Sequence, residues 1–391
     1  MPPPVLARRS GTGGPASSLG GWQEHGQGRR RLPPYVPLLF EPLTLRGTTF
    51  RNRAWVSPMC QYSCEEGVPH DWHLVHLGAR AVGGAGLVMT EAAAVSPEGR
   101  ISPQDAGIWS DEQERAWSRI VEFVHGQGAA AGTQLAHAGR KASSHRPFGG
   151  SSGTIPAQEG GWTALAPSAI AFGRYATPAE LDADGIAKVV DDFVAAAQRA
   201  ERAGFDVVEV HGAHGYLLHE FVSPLSNHRT DAYGGSFEGR TRLPLAVVEA
   251  VRAVWPQDRP LLYRVSASDW ADGGWTIEDT VAFSVLLRER GVDLVDCSSG
   301  GLVHTQQITV GPGYQVPFAG AVRAGAGIPT GAVGMITEPA QAEKILADGQ
   351  ADVVLLAREL LRDPSWPLRA AAELGGEVRW PPQYERARPF P

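Results

Sequence analysis

The run DVVEVHGAHGYLLHEF, Asp206 to Phe221, carries the first decision about the fold. It rises as a block of apolar residues from Val207, stops on His211, and places His214 and Tyr216 just beyond. The block is short and does not alternate apolar with polar, so it reads as a strand buried on both faces, as in a parallel sheet. Upstream, RAGFD (Arg202 to Asp206) ends a helical pattern on glycine and feeds straight into the strand.

Seven further runs share this form: AWVSP from Ala54, LVMTE from Leu87, AAGTQLAH from Ala130, LLYRVS from Leu261, DLVDCSS from Asp293, PTGAVG from Pro329 and DVVLLAR from Asp352. Helical segments lie between them. Ser110 with Gln113 and Thr276 with Asp279 form capping boxes. Thr177-Pro178-Ala179-Glu180 forms a third, with proline at the first helical position, ahead of Ile186, Val189, Val190, Phe193, Ala197 and Ala200 at helical spacing. ERGVD (Glu289 to Asp293) and ADGQAD (Ala347 to Asp352) repeat the glycine exit. Eight strand-then-helix units predict a single (β/α)8 barrel, an α/β TIM barrel. A doubly wound open sheet is the alternative, but no GxGxxG follows any strand.

In such a barrel the C-terminal strand ends build the active site. Here the ends are Ser57-Pro58-Met59-Cys60, Glu91-Ala92, Gln134 with His137, His211, Arg264, Cys297-Ser298-Ser299, Gly331 to Gly334, and Arg358. Apolar strands that all finish on hydrogen-bonding groups describe one polar-ringed pocket. Gly331 and Gly334 can bring backbone N–H groups close to a phosphate, and Arg358 adds a permanent charge. The competing reading pairs Arg358 with Glu359 or Asp363. Gln134 and Arg264 suit a flat heteroaromatic ring, and equally suit burial with structural partners.

His211 and His214 allow three readings. They are metal ligands, core histidines satisfied by backbone, or two imidazoles that hold one substrate oxygen with Tyr216 as proton donor. His70-Asp71-Trp72-His73 has the same spacing but no strand before it.

The chain has 391 residues, 43% hydrophobic and 20% charged, with a formal net charge of −7 and a pI near 6.0. No basic patch marks nucleic-acid binding, and no apolar run approaches the roughly 18 residues of a membrane span. Three cysteines, Cys60, Cys64 and Cys297, are too few for a disulfide scaffold and fit a reducing, cytoplasmic compartment. Residues 1–35 hold seven Gly, six Pro and five Arg against one acid, Glu24. They read as a disordered tail, with the barrel and a C-terminal arm over residues 36–391.

Beyond these patterns the chain resembles the Old Yellow Enzyme family of FMN-dependent ene-reductases, in its bacterial thermophilic-like subgroup with the YqjM-type NADPH dehydrogenases. The resemblance covers roughly Leu39 to Arg386. It rests on SPMCQYS at Ser57, QLAHAGRK at Gln134, HGAHGYLLHEF at His211, SNHRTDAYGGS at Ser226, RVSASD at Arg264, GAVGMI at Gly331, RELLRDP at Arg358 and QYER at Gln383, all in order.

The resemblance implies that Ser57, Pro58, Met59 and Cys60 lie against FMN, that Ala92, Gln134 and Arg264 contact its ring system, and that Gly334, Ala357 and Arg358 hold its phosphate. It implies that His211 and His214 grip the substrate carbonyl, that Tyr62 and Lys141 line the pocket, and that Tyr216 is the proton donor. No metal is expected. Arg386 would reach into the pocket of a neighbouring subunit, in a homodimer or homotetramer. Its arm, PPQYERARPFP from Pro381, is expected not to fold back as a helix because of its prolines.

The implied activity is ping-pong: NADPH gives up its electrons first, then an α,β-unsaturated aldehyde or ketone accepts them across its C=C bond. Detoxification of electrophiles would be the cellular role. A related iron–sulfur branch needs four clustered cysteines, which three do not supply. Three departures from the family stand out: Ala357 where glycine is usual, Gly212 where alanine is usual, and a loop near His304 that is a residue longer.

Overall fold

A computed structural model describes residues 36–388. The expected tail at residues 1–35 lies outside the described residues. The eight strands form where the apolar runs lie: β1 Ala54–Val56, β2 Leu87–Ala94, β3 Ala130–Ala136, β4 Val207–Gly212, β5 Leu261–Ser266, β6 Leu294–Ser298, β7 Thr330–Ala332 and β8 Val353–Leu356. They pair in parallel, each with its sequence neighbour, and β8 closes on β1. This is the expected (β/α)8 barrel.

Burial on both faces conceals a two-residue alternation of destination. On β4, Val208 and Val210 pack outward against the helices. Val207 points inward and joins Leu262, Leu294, Val353, Trp55 and Met89 in a separate apolar cluster. The hairpin Leu43–Leu45/Thr48–Phe50 adds Leu45 and Phe50 to that cluster and plugs the N-terminal mouth. One layer up, the inward positions turn polar: Ser57, Gln134, Glu209, Arg264 and Asp296, all buried. Cys297, expected among the pocket groups, is one residue out of phase and packs into the outer core instead.

The helices cover the barrel. Those used below are α1 Asp71–Val82, α2 Asp111–Gly126, α3 Ala183–Arg202, the short α4 Leu217–Val222, α5 Phe237–Val254 and α6 Ile277–Glu289. The capping boxes at Ser110 and Thr276 form as expected. The one at Thr177 does not. Ala179–Glu180 pairs with Leu165–Ala166 as a small sheet, and α3 starts later, capped by Asp182, whose Oδ1 accepts the Gly185 N–H at 2.8 Å. The local cap signal at Thr177 lost to a tertiary strand pairing and to a better-placed carboxylate five residues on. The buried stripe of α3, with Ile186, Val189, Phe193, Ala197 and Ala200, is otherwise as read.

The C-terminal arm also departs from expectation. Pro382–Ala387 forms a 3-10 turn. Its proline stands at the first turn, where a missing N–H costs nothing. None of the described helices is long and apolar enough to cross a membrane.

Candidate active site at the C-terminal mouth of the barrel

The turn after β4 does most of the positioning. His211 ends the strand facing inward, His214 takes a left-handed φ of 60°, and Gly215 follows at φ 72°. A side chain at Gly215 would meet the Gly301 carbonyl at 2.2 Å, so the turn is pressed against the loop after β6. Further contacts hold it. The His214 N–H donates to Ser266 Oγ at 2.9 Å, and the Gly215 N–H donates to His219 Nδ1 at 2.9 Å. His219 Nε2 lies 2.9 Å from Asp269 Oδ1, both groups fully buried. Lys141 Nζ donates to the carbonyls of His214, at 2.7 Å, and Gly301.

This packing brings three rings together. The His211 and His214 rings lie 5.2 Å apart at 78°, and Tyr216 stands 5.1 Å from His211 at 75°. His214 Nε2 is 2.7 Å from Ser298 Oγ, whereas buried His211 Nδ1 has no hydrogen-bond partner. Desolvation, reinforced by Arg264, holds both imidazoles well below the ordinary histidine range. Both are therefore neutral at physiological pH, each with one N–H to donate. Burial also raises Tyr216 well above the ordinary phenol, so it keeps its proton. Two neutral donors beside a protonated phenol can hold an oxygen that gains negative charge and deliver a proton near it.

Beneath this group the inward polar layer is cross-linked. Gln134 Nε2 donates to Glu209 Oε1 at 2.7 Å. Arg264 Nη2 donates to Ser57 Oγ at 3.1 Å across the barrel, and its Nε lies 2.9 Å from Asp296 Oδ2. Both residues thus have structural partners while standing where a flat ring would rest. After β1, half-buried Cys60 lies beside the Ala92 backbone and the Tyr62 side chain, and desolvation raises its thiol well above the usual range, so it stays a thiol. Pro58 and Met59 are half-buried beside it.

Lys141, expected at the pocket mouth, turns its ammonium down onto the two carbonyls, 4.1 Å from the Phe172 ring and 5.6 Å from that of Tyr216. Burial lowers its pKa to about 8.

The ends of β7 and β8 form a cleft of about 200 Å³ lined by Gly334, Met335, Ala357 and Arg358. Gly334 adopts φ 120°, which only glycine takes without strain. Gly331, read as part of the same cradle, is instead a strand residue inside the barrel, where a Cβ would meet Leu355 Cδ1 at 2.4 Å. Arg358 is exposed. The acids that could have claimed it are taken: Glu359 by Arg362 and Arg369, Asp363 by Arg369. Among the described residues, Arg358 makes no side-chain hydrogen bond or ion pair, so the cleft offers a free guanidinium to an anion. These features fit a phosphate-bearing ring cofactor: an anion cleft at one end and a floor of buried donors at the other.

Sequence reasoning missed Gln315. It is buried, accepts from Ser299 Oγ at 2.7 Å and donates to the Val333 carbonyl at 3.2 Å, tying β6 to β7. It also missed the His219–Asp269 brace. No local signal marks either, because their partners are distant in sequence. Arg386 is exposed on the arm and bonds to no other described residue of its own chain.

Comparison with known proteins identifies the family. Residues 38–377 match the model of the NADH:flavin oxidoreductase / NADH oxidase family. An NADPH dehydrogenase of Bacillus subtilis is 50% identical over 351 residues, 89% of this chain and 98% of that protein. One from Geobacillus thermodenitrificans is 49% identical, covering 90% and 99%. Among solved structures, morphinone reductase superposes with a TM-score of 0.72 at 30% identity, over 89% of this chain and 93% of the other. The Old Yellow Enzyme homologue from Zymomonas mobilis gives 0.72 at 27%, covering 91% and 100%. A barrel whose mouth joins paired neutral imidazoles, a protonated tyrosine and a free-arginine cleft is thus matched along almost its whole length, and the chain belongs to the NADH:flavin oxidoreductase / NADH oxidase family, the Old Yellow Enzyme family, as an FMN-dependent oxidoreductase.

Proposed function

We propose that the protein uses NADPH to reduce the activated C=C bond of α,β-unsaturated aldehydes and ketones. The observation that carries this reading is the pair His211 and His214, neutral and 5.2 Å apart, with Tyr216 beside them. When bound, FMN supplies two-electron transfer between the nicotinamide donor and the substrate.

The chain's own residues do the rest. His211 and His214 donate to the substrate carbonyl oxygen, polarise the conjugated alkene and stabilise the charge that collects on that oxygen. Tyr216 gives its proton to the α-carbon. Tyr62 closes the pocket wall. Arg358, Gly334 and Ala357 hold the cofactor phosphate. Ser57, Pro58, Met59, Cys60, Ala92, Gln134 and Arg264 support the ring system. Lys141 serves the pocket by fixing the His214 loop. Arg386 reaches the pocket of a second copy in a homodimer or homotetramer. Removal of reactive electrophiles in the cytoplasm is the role that fits this chemistry.

The test is optical. The purified protein is yellow, bleaches with NADPH under anaerobic conditions, and recovers its colour on addition of cyclohexenone. Bleaching that oxygen reverses and cyclohexenone does not would overturn the assignment of substrate.

A further inference from the structure

We propose that Glu209 and Asp296, inside the barrel beneath the pocket, hold one proton between them and so set the charge of the layer that faces the cofactor ring. The charges in that layer do not balance otherwise. Two carboxylates, both fully buried, stand against one guanidinium, that of Arg264. Arg264 is in register with Asp296 on β6, and Gln134 is in register with Glu209 on β4. Arg264 lies against Asp296 and also donates to Ser57, while Glu209 receives only the neutral Gln134 amide. Glu209 Oε2 has no hydrogen-bond partner.

Other charges near the layer do not compensate. His211, one inward position above Glu209, stays neutral, and so does His214. The Lys141 ammonium is committed to two carbonyls. An uncompensated buried charge is strongly disfavoured, and a group in that position takes up a proton instead. The direction of both carboxyl shifts agrees. Burial raises Glu209 to about 8, with Asp296 adding to the rise and Arg264 opposing it; burial likewise raises Asp296 against the pull of Arg264. The proton belongs to the pair rather than to either residue. With it the cluster is neutral; without it the cluster is a net anion.

Glu209 and Asp296 are therefore positioning residues. They orient Gln134 and Arg264 and fix the field beneath the ring. The part of the inference that concerns the cofactor rests on the FMN reading; the shared proton does not.

The experiment has two arms. The first measures the midpoint potential of the flavin against pH by spectroelectrochemistry. Wild type shows a break near pH 8, above which the potential falls more steeply as the cluster turns negative. Glu209→Gln and Asp296→Asn each leave one carboxylate facing Arg264, so both lose the break. The double variant leaves Arg264 uncompensated, and its potential lies above wild type throughout. A break that survives in both single variants belongs to another group, Lys141 or Glu220, and overturns the proposal.

The second arm needs no cofactor. Infrared spectra of the protein as purified follow the protonated-carboxyl stretch as pH rises through 8, with Glu220→Gln and Asp105→Asn as controls for two further buried acids that burial raises. Wild type loses more of this band than Glu209→Gln or Asp296→Asn. Equal losses in wild type and both variants overturn the shared proton. A colourless protein that still shows the difference counts against the flavin reading and supports this one.

Discussion

Two pairs of histidines in this chain have the same spacing and opposite uses. His70 and His73 begin α1. His70 is the N-cap, with its Nδ1 accepting the Trp72 N–H at 3.2 Å and its Nε2 held 2.5 Å from the Ser63 carbonyl. His73 Nδ1 accepts the His70 N–H at 3.1 Å, and its Nε2 packs 3.2 Å from Glu91 and 3.3 Å from Cys64 Sγ. Every ring nitrogen there is used up by the fold. His211 lies at the end of β4 and His214 just beyond it, rather than at a helix start, and His211 Nδ1 is left with no partner. Spacing alone does not separate the pairs. What separates them is that the fold spends every ring nitrogen of the first pair and leaves a buried nitrogen of His211 unspent.

The sharpest way to break this comparison is kinetic. His211→Ala or His214→Ala should slow reoxidation of the reduced enzyme by cyclohexenone about 10²–10³-fold, the usual cost of losing one oxyanion donor, while flavin stays bound. Stopped-flow absorbance reads it, and near wild-type rates in either variant would return this pair to the structural class of the first.

Cofactor retention tests the far end of the site. Arg358→Ala should leave mostly colourless protein after dialysis, because no other described cation lines that cleft except Arg362, which is paired with Glu359. Full retention of colour places the phosphate elsewhere.

Packing under the second pair gives a smaller effect. A Cβ on Gly212 would lie 2.0 Å from Tyr263 Oη. The glycine is thus matched to a tyrosine beneath it. Gly212→Ala should destabilise by about 1–3 kcal/mol, as overpacked cores do. Combined with Tyr263→Val it should cost less than the sum of the two single changes, in a double-mutant cycle by urea unfolding. Strict additivity would mean that the two positions are independent.

Stability against pH compares the buried imidazoles with the buried acids. Burial lowers His76 to about 3 and His137 to about 4, and lowers His211 and His214 as well. The unfolded chain protonates them near ~6.5, so below that pH it binds more protons than the folded protein, and their contribution to stability is lost as pH falls. Burial raises Glu209 and Glu220 to about 8 and Asp105 to about 7. These keep protons that the unfolded chain sheds above ~4.3, so their contribution falls as pH rises. The two sets oppose each other between ~4.3 and ~6.5. Above ~6.5 the acids act alone, and Tm should decline toward pH 8, with a shallower decline in Glu220→Gln. A Tm that climbs over that interval contradicts the assignment.

The smallest effect belongs to the first pair. His70→Ala removes a helix cap worth about 1 kcal/mol, and should lower Tm with little change in reoxidation rate.

The sequence by itself determined the architecture. Eight short apolar runs with glycine exits leave a parallel barrel as the fold that buries both strand faces, and the strand-end pattern set the histidine pair and Tyr216 at its mouth. Tertiary structure alone decided which neighbour each polar group keeps. Thr177 lost its helix start because Leu165–Ala166 pairs with Ala179–Glu180, a contact no local pattern carries. Gly331 left the phosphate cradle because strand pairing set it inside the barrel, and Cys297 left the pocket because inward and outward positions alternate every two residues. The His219–Asp269 brace, the Gln315 bridge and the Glu209–Arg264–Asp296 layer join residues from separate strands and helices. Hydrophobic period and turn chemistry are written locally and can be read locally. Hydrogen-bond partnership and buried charge balance depend on which strand ends meet, and those meet only when the barrel closes.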